Sequence, residues 1–174
     1  MDKWDEELQG IVKTACVAVT DESRWNDVLY GLCRRFGATA AALITPQTDA
    51  RDRIMLGQTG LPPDSLQTYF RDWADQDPWF AAAAAKRIEI KSGLTVIGSE
   101  VCDERDLVRT LFYNEFLVPQ GIHSLMTQVV DDGSEPTKAP FTILSLYRGR
   151  RLDEFSRDDQ YAFKLVHAVI RLAL

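Results

Sequence analysis

Two stretches near the end of the chain limit its fold more than any other feature. Residues 123–131, HSLMTQVVD, and 141–148, FTILSLYR, each alternate apolar and polar side chains at a period of two. That period places successive side chains on opposite faces of a β-strand. The DDGSEPTKAP segment between them is rich in turn formers and reads as a somewhat long hairpin loop. Strands joined by hairpins run antiparallel. Earlier, ATAAALIT at 38–45 reads as a short buried strand with residues 53–58 as its hairpin partner, and LTVI at 94–97 as a further short strand.

Helical periodicity fills the rest. Trp4, Leu8, Ile11, Val12, Ala15 and Val19 repeat at 3.6 residues and predict a helix over 4–19. Ser23 reads as the cap of a second helix striped by Trp25, Val28, Leu29, Leu32 and Phe36 and stopped by Gly37. GLPP at 60–63 delivers the chain into a helix carrying Tyr69, Phe70 and Trp73, and a short helix follows from Pro78 through Ala85. ERDLVRTLFYNEFL, residues 104–117, predicts one strong helix ended by Pro119 and Gly121. A final helix, capped by Ser156 or Asp158, has Lys164, His167 and Arg171 on one polar stripe and apolar residues over a wide arc. An antiparallel sheet with helices on its faces, the plan of PAS- and GAF-like domains, is the expected α/β fold. There is no alternating βαβ pattern and no Gly-rich phosphate loop to suggest a nucleotide enzyme.

The chain has 174 residues, is 45% hydrophobic and reads as a single domain over 1–174. Its net charge of -6 opposes nucleic-acid binding by this chain alone, because such binding rests on neutralising phosphates. Arg148, Arg150 and Arg151 are offset by Asp153, Glu154 and Asp158-Asp159 and read as a solvated turn. No apolar run approaches the ~20 residues that cross a bilayer, and the acidic start MDKWDEELQG is unlike a secretory signal. The expectation is a cytoplasmic protein with no membrane partner. Cys16, Cys33 and Cys102, odd in number and set in apolar sequence, read as reduced buried thiols. With His123 and His167 the only histidines, neither a zinc set nor an activated Cys102–His123 nucleophile pair is supported, and no Cys-His dipeptide suggests a bound bilin. No metal, no cofactor and no enzymatic activity are expected.

YFRDWADQDPWF, residues 69–80, concentrates the chemistry. Tyr69 and Trp73, four apart, share one helix face, and Asp77-Pro78 is a good N-cap followed by the preferred first helical residue. Two readings stand. Asp77 caps a helix and Tyr69, Trp73, Trp79 and Phe80 fill a core, or the rings and the carboxylate form the wall of a pocket for a small amphiphilic molecule. Both hold at once if one carboxylate oxygen caps and the other faces a cavity. Met126 to Val130, with His123, Thr142, Leu144 and Leu146, are the candidates for the opposite wall. Asn114 and Glu115 read as an exposed helix face or as a hydrogen bond fixing the turn that follows.

WNDVLYGLCRRFGATAAAL (25–43), YFRDWADQDPW (69–79) and FYNEFLVPQGI (112–122) together resemble the N-terminal sensor domains of LuxR-type transcription regulators, including the autoinducer-binding branch. The match is by motif order over most of the chain, and EFL-x-P-x-G is its most specific piece. The resemblance implies an α/β/α sandwich, a ligand between the sheet and the helices after the first hairpin, a quorum-sensing type of signalling, and DNA binding through a helix-turn-helix placed after the sensor. Such a domain would begin about where this chain ends, at Leu174. In the lactone sensors a Trp, a Tyr and an Asp hold the ligand; Asp77 matches that Asp, and Tyr69 and Trp73 match the aromatics approximately. Their shorter spacing from the Asp and reversed order argue for a ligand other than the usual lactones. The leading expectation is thus a ligand-responsive regulatory domain, a homodimer through its apolar final helix. The alternative is an adaptor module of the same fold with a filled pocket.

Overall fold

The computed structural model describes residues 3–45, 54–134 and 140–174; Trp4's side chain and Arg53 lie outside what is described. Five strands form one antiparallel sheet: β1 (Ala40–Thr45), β2 (Ile54–Thr59), β3 (Thr95–Ile97), β4 (Ser124–Asp131) and β5 (Thr142–Arg148), in the order β2-β1-β5-β4-β3. The β4–β5 hairpin pairs Leu125 with Tyr147 and Thr127 with Ser145, and β1 then pairs with β5. Both expected hairpins are therefore present, and the second one brings the first into the same sheet.

Helices α1 (Lys3–Ala18), α2 (Trp25–Phe36) and α7 (Arg157–Leu172) cover one face. Their buried Leu32, Phe36, Phe163, Val166 and Ile170 meet Leu43, Met126, Leu144 and Leu146 from the strands. Phe36 and Phe163 pack edge to face, centroids 5.4 Å apart. Each such side chain contributes about 1.5–3 kcal/mol when fully buried, so this layer is the main store of stability. α2 ends where Gly37 turns left-handed at φ 57°. Its start differs from the expectation: Asp21, not Ser23, caps the preceding turn of 3₁₀ helix (Glu22–Arg24), accepting from the Ser23 amide and hydroxyl. α1 stops at Ala18, leaving Val19 exposed, and Cys16 on α1 is also exposed rather than buried.

α7 begins with a reciprocal cap between Ser156 and Asp159. Its buried arc is narrower than its composition suggests. Leu165 and Leu172 are exposed, whereas two residues of the expected polar stripe serve the sheet. His167 Nε2 lies 2.9 Å from the Val130 carbonyl, and Arg171 Nε donates to buried Asp131 at 2.8 Å.

The other face is covered by short, irregular helical pieces: α3 (Ser65–Thr68) continuing into a π-helical turn (Tyr69–Trp73), α4 (Pro78–Ala85), α5 (Gly98–Val101), α6 (Glu104–Leu107) and a second π-helical stretch (Phe112–Leu117). The single helix expected over 104–117 is broken between α6 and Phe112. Thr110 explains the break: its hydroxyl accepts the Tyr113 amide, while Asn114 Nδ2 donates to the Val108 and Thr110 carbonyls. These side chains compete with the regular backbone ladder.

Arg148, at the end of β5, ties three segments together. Its guanidinium donates to the carbonyls of Phe36, Asp153 and Glu154, pairs with Asp159 at 3.3 Å and stacks 4.1 Å from the Phe155 ring centroid. The basic turn expected there is thus solvated at Arg150 and Arg151, both exposed, but not at Arg148. Arg148→Met keeps the apolar stem and removes those donors. In urea unfolding it should cost about 2–4 kcal/mol, because charged-group hydrogen bonds to three carbonyls are lost together; a change below about 0.5 kcal/mol would show that the staple does not stabilise the fold.

Candidate functional site: a cavity beneath the irregular helices

Between the sheet and the irregular helices lies a cavity of about 400 Å³. Its floor is the sheet face opposite the main core: Leu125, Thr127 and Val129 of β4 and Ile143, Ser145 and Tyr147 of β5. Its roof comes from Tyr69, Trp79, Phe112 and Phe116, with Val96 and Val101 at one side. Phe80 and Ile90 are lining residues that are also about half exposed, which places them at the rim.

Asp77 joins the two halves of the roof. It is 7% exposed and spends its two oxygens on different partners. Oδ1 caps α4, accepting the Trp79 amide at 2.8 Å and the Phe80 amide at 3.4 Å. Oδ2 accepts the Tyr69 hydroxyl at 2.8 Å. Burial pushes the Asp77 carboxyl above its ordinary value, and these three hydrogen bonds oppose that shift. One side chain thus both caps α4 and lines the cavity.

Other polar groups are few and paired. Thr127 and Ser145 hydroxyls lie 2.9 Å apart. Burial pushes the Tyr147 phenol up to about 12, with the Asp77 charge adding to the shift and a hydrogen bond to Ser145 opposing it. Ser65 donates to Gln120, whose amide nitrogen is held by the Phe116 carbonyl. No Lys, Arg, His or Glu lines the cavity among the described residues, which leaves Asp77 as its one carboxylate. An apolar chamber with a few convergent polar groups has the chemistry of a small-molecule site.

Of the residues expected at the site, Tyr69, Asp77, Trp79 and Phe80 line the cavity. Trp73 does not: it packs in the roof, 5.9 Å from Phe116 and 6.2 Å from Phe112 by ring centroids. Met126 does not either, being fully buried in the main core on the far face of the sheet. Of the strand residues expected opposite the roof, Thr127 and Val129 line the cavity, whereas Gln128, Val130, Thr142, Leu144 and Leu146 lie on the Met126 face, and β5 contributes Ile143, Ser145 and Tyr147 instead. In β5 the phase is the reverse of the expected one. His123 sits outside the cavity, between the Tyr113 hydroxyl at 2.7 Å and Glu104 at 3.0 Å. Phe112 and Phe116 were missed as lining; their spacing of four within FYNEF was the available signal.

Neither a family model nor a curated protein sequence matches the chain. Solved structures do. The LBD domain of VqsR from Pseudomonas aeruginosa aligns with 99% of this chain and 94% of its own, at a TM-score of 0.67 and 14% identity. A phycoerythrobilin-bound GAF domain from a cyanobacterial phytochrome aligns over the same shares at 0.62 and 13% identity. A GAF domain/HD domain protein from Geobacter sulfurreducens covers 91% of this chain and 97% of its own at 0.51 and 15%. At such identities the likeness defines the fold: this chain has a GAF-like α/β fold, with a five-stranded antiparallel sheet flanked by helices.

The Asp77 geometry gives a signed pH dependence. In the folded chain Asp77 holds its proton to higher pH than the ordinary value of 3.8, so above that value the native state binds more protons than the unfolded one. Stability from this group is therefore lost as pH rises. Asp77→Asn keeps a capping oxygen and cannot ionise. Its melting temperature relative to wild type should climb between pH 3.8 and neutrality; a difference that shrinks over that interval would reverse the assignment.

Proposed function

We propose that this chain is the small-molecule-sensing regulatory domain of a transcriptional regulator of the LuxR type. The observation that carries the reading is the apolar cavity of about 400 Å³ with buried Asp77 and Tyr69 hydrogen-bonded in its roof. The structural likeness to the LBD domain of VqsR supports a sensing role, and the motif order of the sequence supports the LuxR type. DNA binding would belong to an attached helix-turn-helix, and the protein would act in the cytoplasm. The adaptor reading required a filled interior, and the cavity favours the sensor over it.

Wall chemistry narrows the ligand. No Lys, Arg or His among the described lining residues would meet an anion there, and desolvating a carboxylate in such a chamber costs several kcal/mol. The ligand is uncharged and mostly apolar, with a hydroxyl or amide N–H that donates toward Asp77 and a polar atom that reaches Thr127, Ser145 or Tyr147. Decanamide and decanoate, equal in chain length, separate this from general greasiness. At a hundredfold excess over its dissociation constant decanamide should stabilise the protein by about 2.7 kcal/mol. Decanoate should do markedly less, and Asp77→Asn should weaken decanamide while leaving the fold intact. Failure of a panel of uncharged amphiphiles to stabilise the protein would remove the sensor reading, and equal stabilisation by decanoate would remove the neutral-ligand one.

A homodimer is part of the proposal. Tyr161, Leu165 and Leu172 are exposed along one stripe of α7, apolar surface that a second copy would cover. Sedimentation should show mass rising with concentration; a monomer mass at every concentration would count against it.

A further inference from the structure

One short element has the cavity on one side and the last helix on the other. β3 and α5, residues 95–101, place Val96 and Val101 in the cavity wall. At their junction, Gly98 lies directly under the Trp79 indole: a Cβ built there would fall 2.7 Å from Trp79 Nε1 and 3.2 Å from Cε2. Trp79 itself is buried and lines the cavity. Any occupant that presses on the indole therefore presses on Gly98, because packed interiors pass displacement on rather than absorb it.

The opposite side of the element is fastened to α7 by buried polar groups. Glu100 Oε2 accepts from the Ile97 amide at 3.0 Å and from Gln160 Nε2 at 2.9 Å. Gln160 Nε2 also donates to the Thr95 carbonyl at 2.9 Å, and Arg157 pairs with Glu100. Gln128, fully buried, donates both to Thr95 Oγ1 at 2.9 Å and to the Phe163 carbonyl at 3.1 Å. Gln128 Oε1 has no hydrogen-bond partner among the described residues although it is buried.

We propose that the β3–α5 element is the relay by which occupancy of the cavity is passed to α7. Trp79 against Gly98 is the input contact, and Glu100 with Gln160 is the output. The inference takes its meaning from the sensing reading above, but its test needs no ligand, so the two can fail separately. Gly98→Ala loads the same contact from the other side: its Cβ and an occupant both force the Trp79 indole and the Gly98 backbone against each other.

Hydrogen exchange read by mass spectrometry on the full chain compares peptides of α7 with those of α2, which packs in the same core but shares none of these hydrogen bonds. Gly98→Ala should change exchange over residues 157–163 at least threefold while α2 stays within experimental error, and the change should vanish when Gln160→Leu is added. Exchange rising equally over α2 and α7 would mean general destabilisation and would overturn the relay. So would a change confined to α4 and α5. Should Gly98→Ala not fold, Trp79→Leu, which withdraws the indole from Gly98, must alter residues 157–163 selectively; unchanged exchange there would likewise overturn it.

Discussion

The cavity side of this fold depends on one carboxylate. The roof over the cavity is assembled from helical pieces too short to be stable alone, and Asp77 fixes the two that matter to each other. One oxygen holds the start of α4 and the other holds the Tyr69 hydroxyl eight residues earlier. Burying that carboxylate is costly, and three hydrogen bonds offset the cost only in part, which is why its proton affinity is raised. A group maintained at such cost sets the position of Tyr69, Trp79 and Phe80 together.

Around this point the sheet separates two kinds of interior. On one face, Met126, Leu144 and Leu146 interlock with α1, α2 and α7 in a continuous core. On the other, Thr127, Ser145 and Tyr147 alternate with apolar residues beneath a space that side chains do not fill. A sheet packed on one side and chambered on the other leaves more room for structural adjustment on the chambered side. There the π-helical turns and the breaks between helices supply backbone that is not locked in a regular ladder.

The sequence made the strands, their antiparallel pairing and most helix positions legible, because period-two and period-3.6 patterns and the caps at Asp77 and Ser156 are local signals. Phase was not legible. Every residue of β1 is buried, and seven of eight in β4, so alternation between apolar and polar side chains did not distinguish core face from cavity face. Met126 was therefore placed on the wrong side. The continuous helix over 104–117 failed for a different reason: its apolar spacing is helical, but Thr110 and Asn114 capture backbone groups that a helix would need. At the site, the Asp-Pro step exposed Asp77 directly. Tyr147 and Ser145 were hidden because their role depends on strand register.

The central claim is that the space under Asp77 is a ligand site for an uncharged molecule. Indole N–H resonances measure it most directly, since Trp79 lines the cavity while Trp25 is buried in the opposite core. On titration with decanamide, the Trp79 signal should shift saturably and the Trp25 signal should stay in place. Equal shifts at both, or a shift at Trp25 alone, would contradict the account.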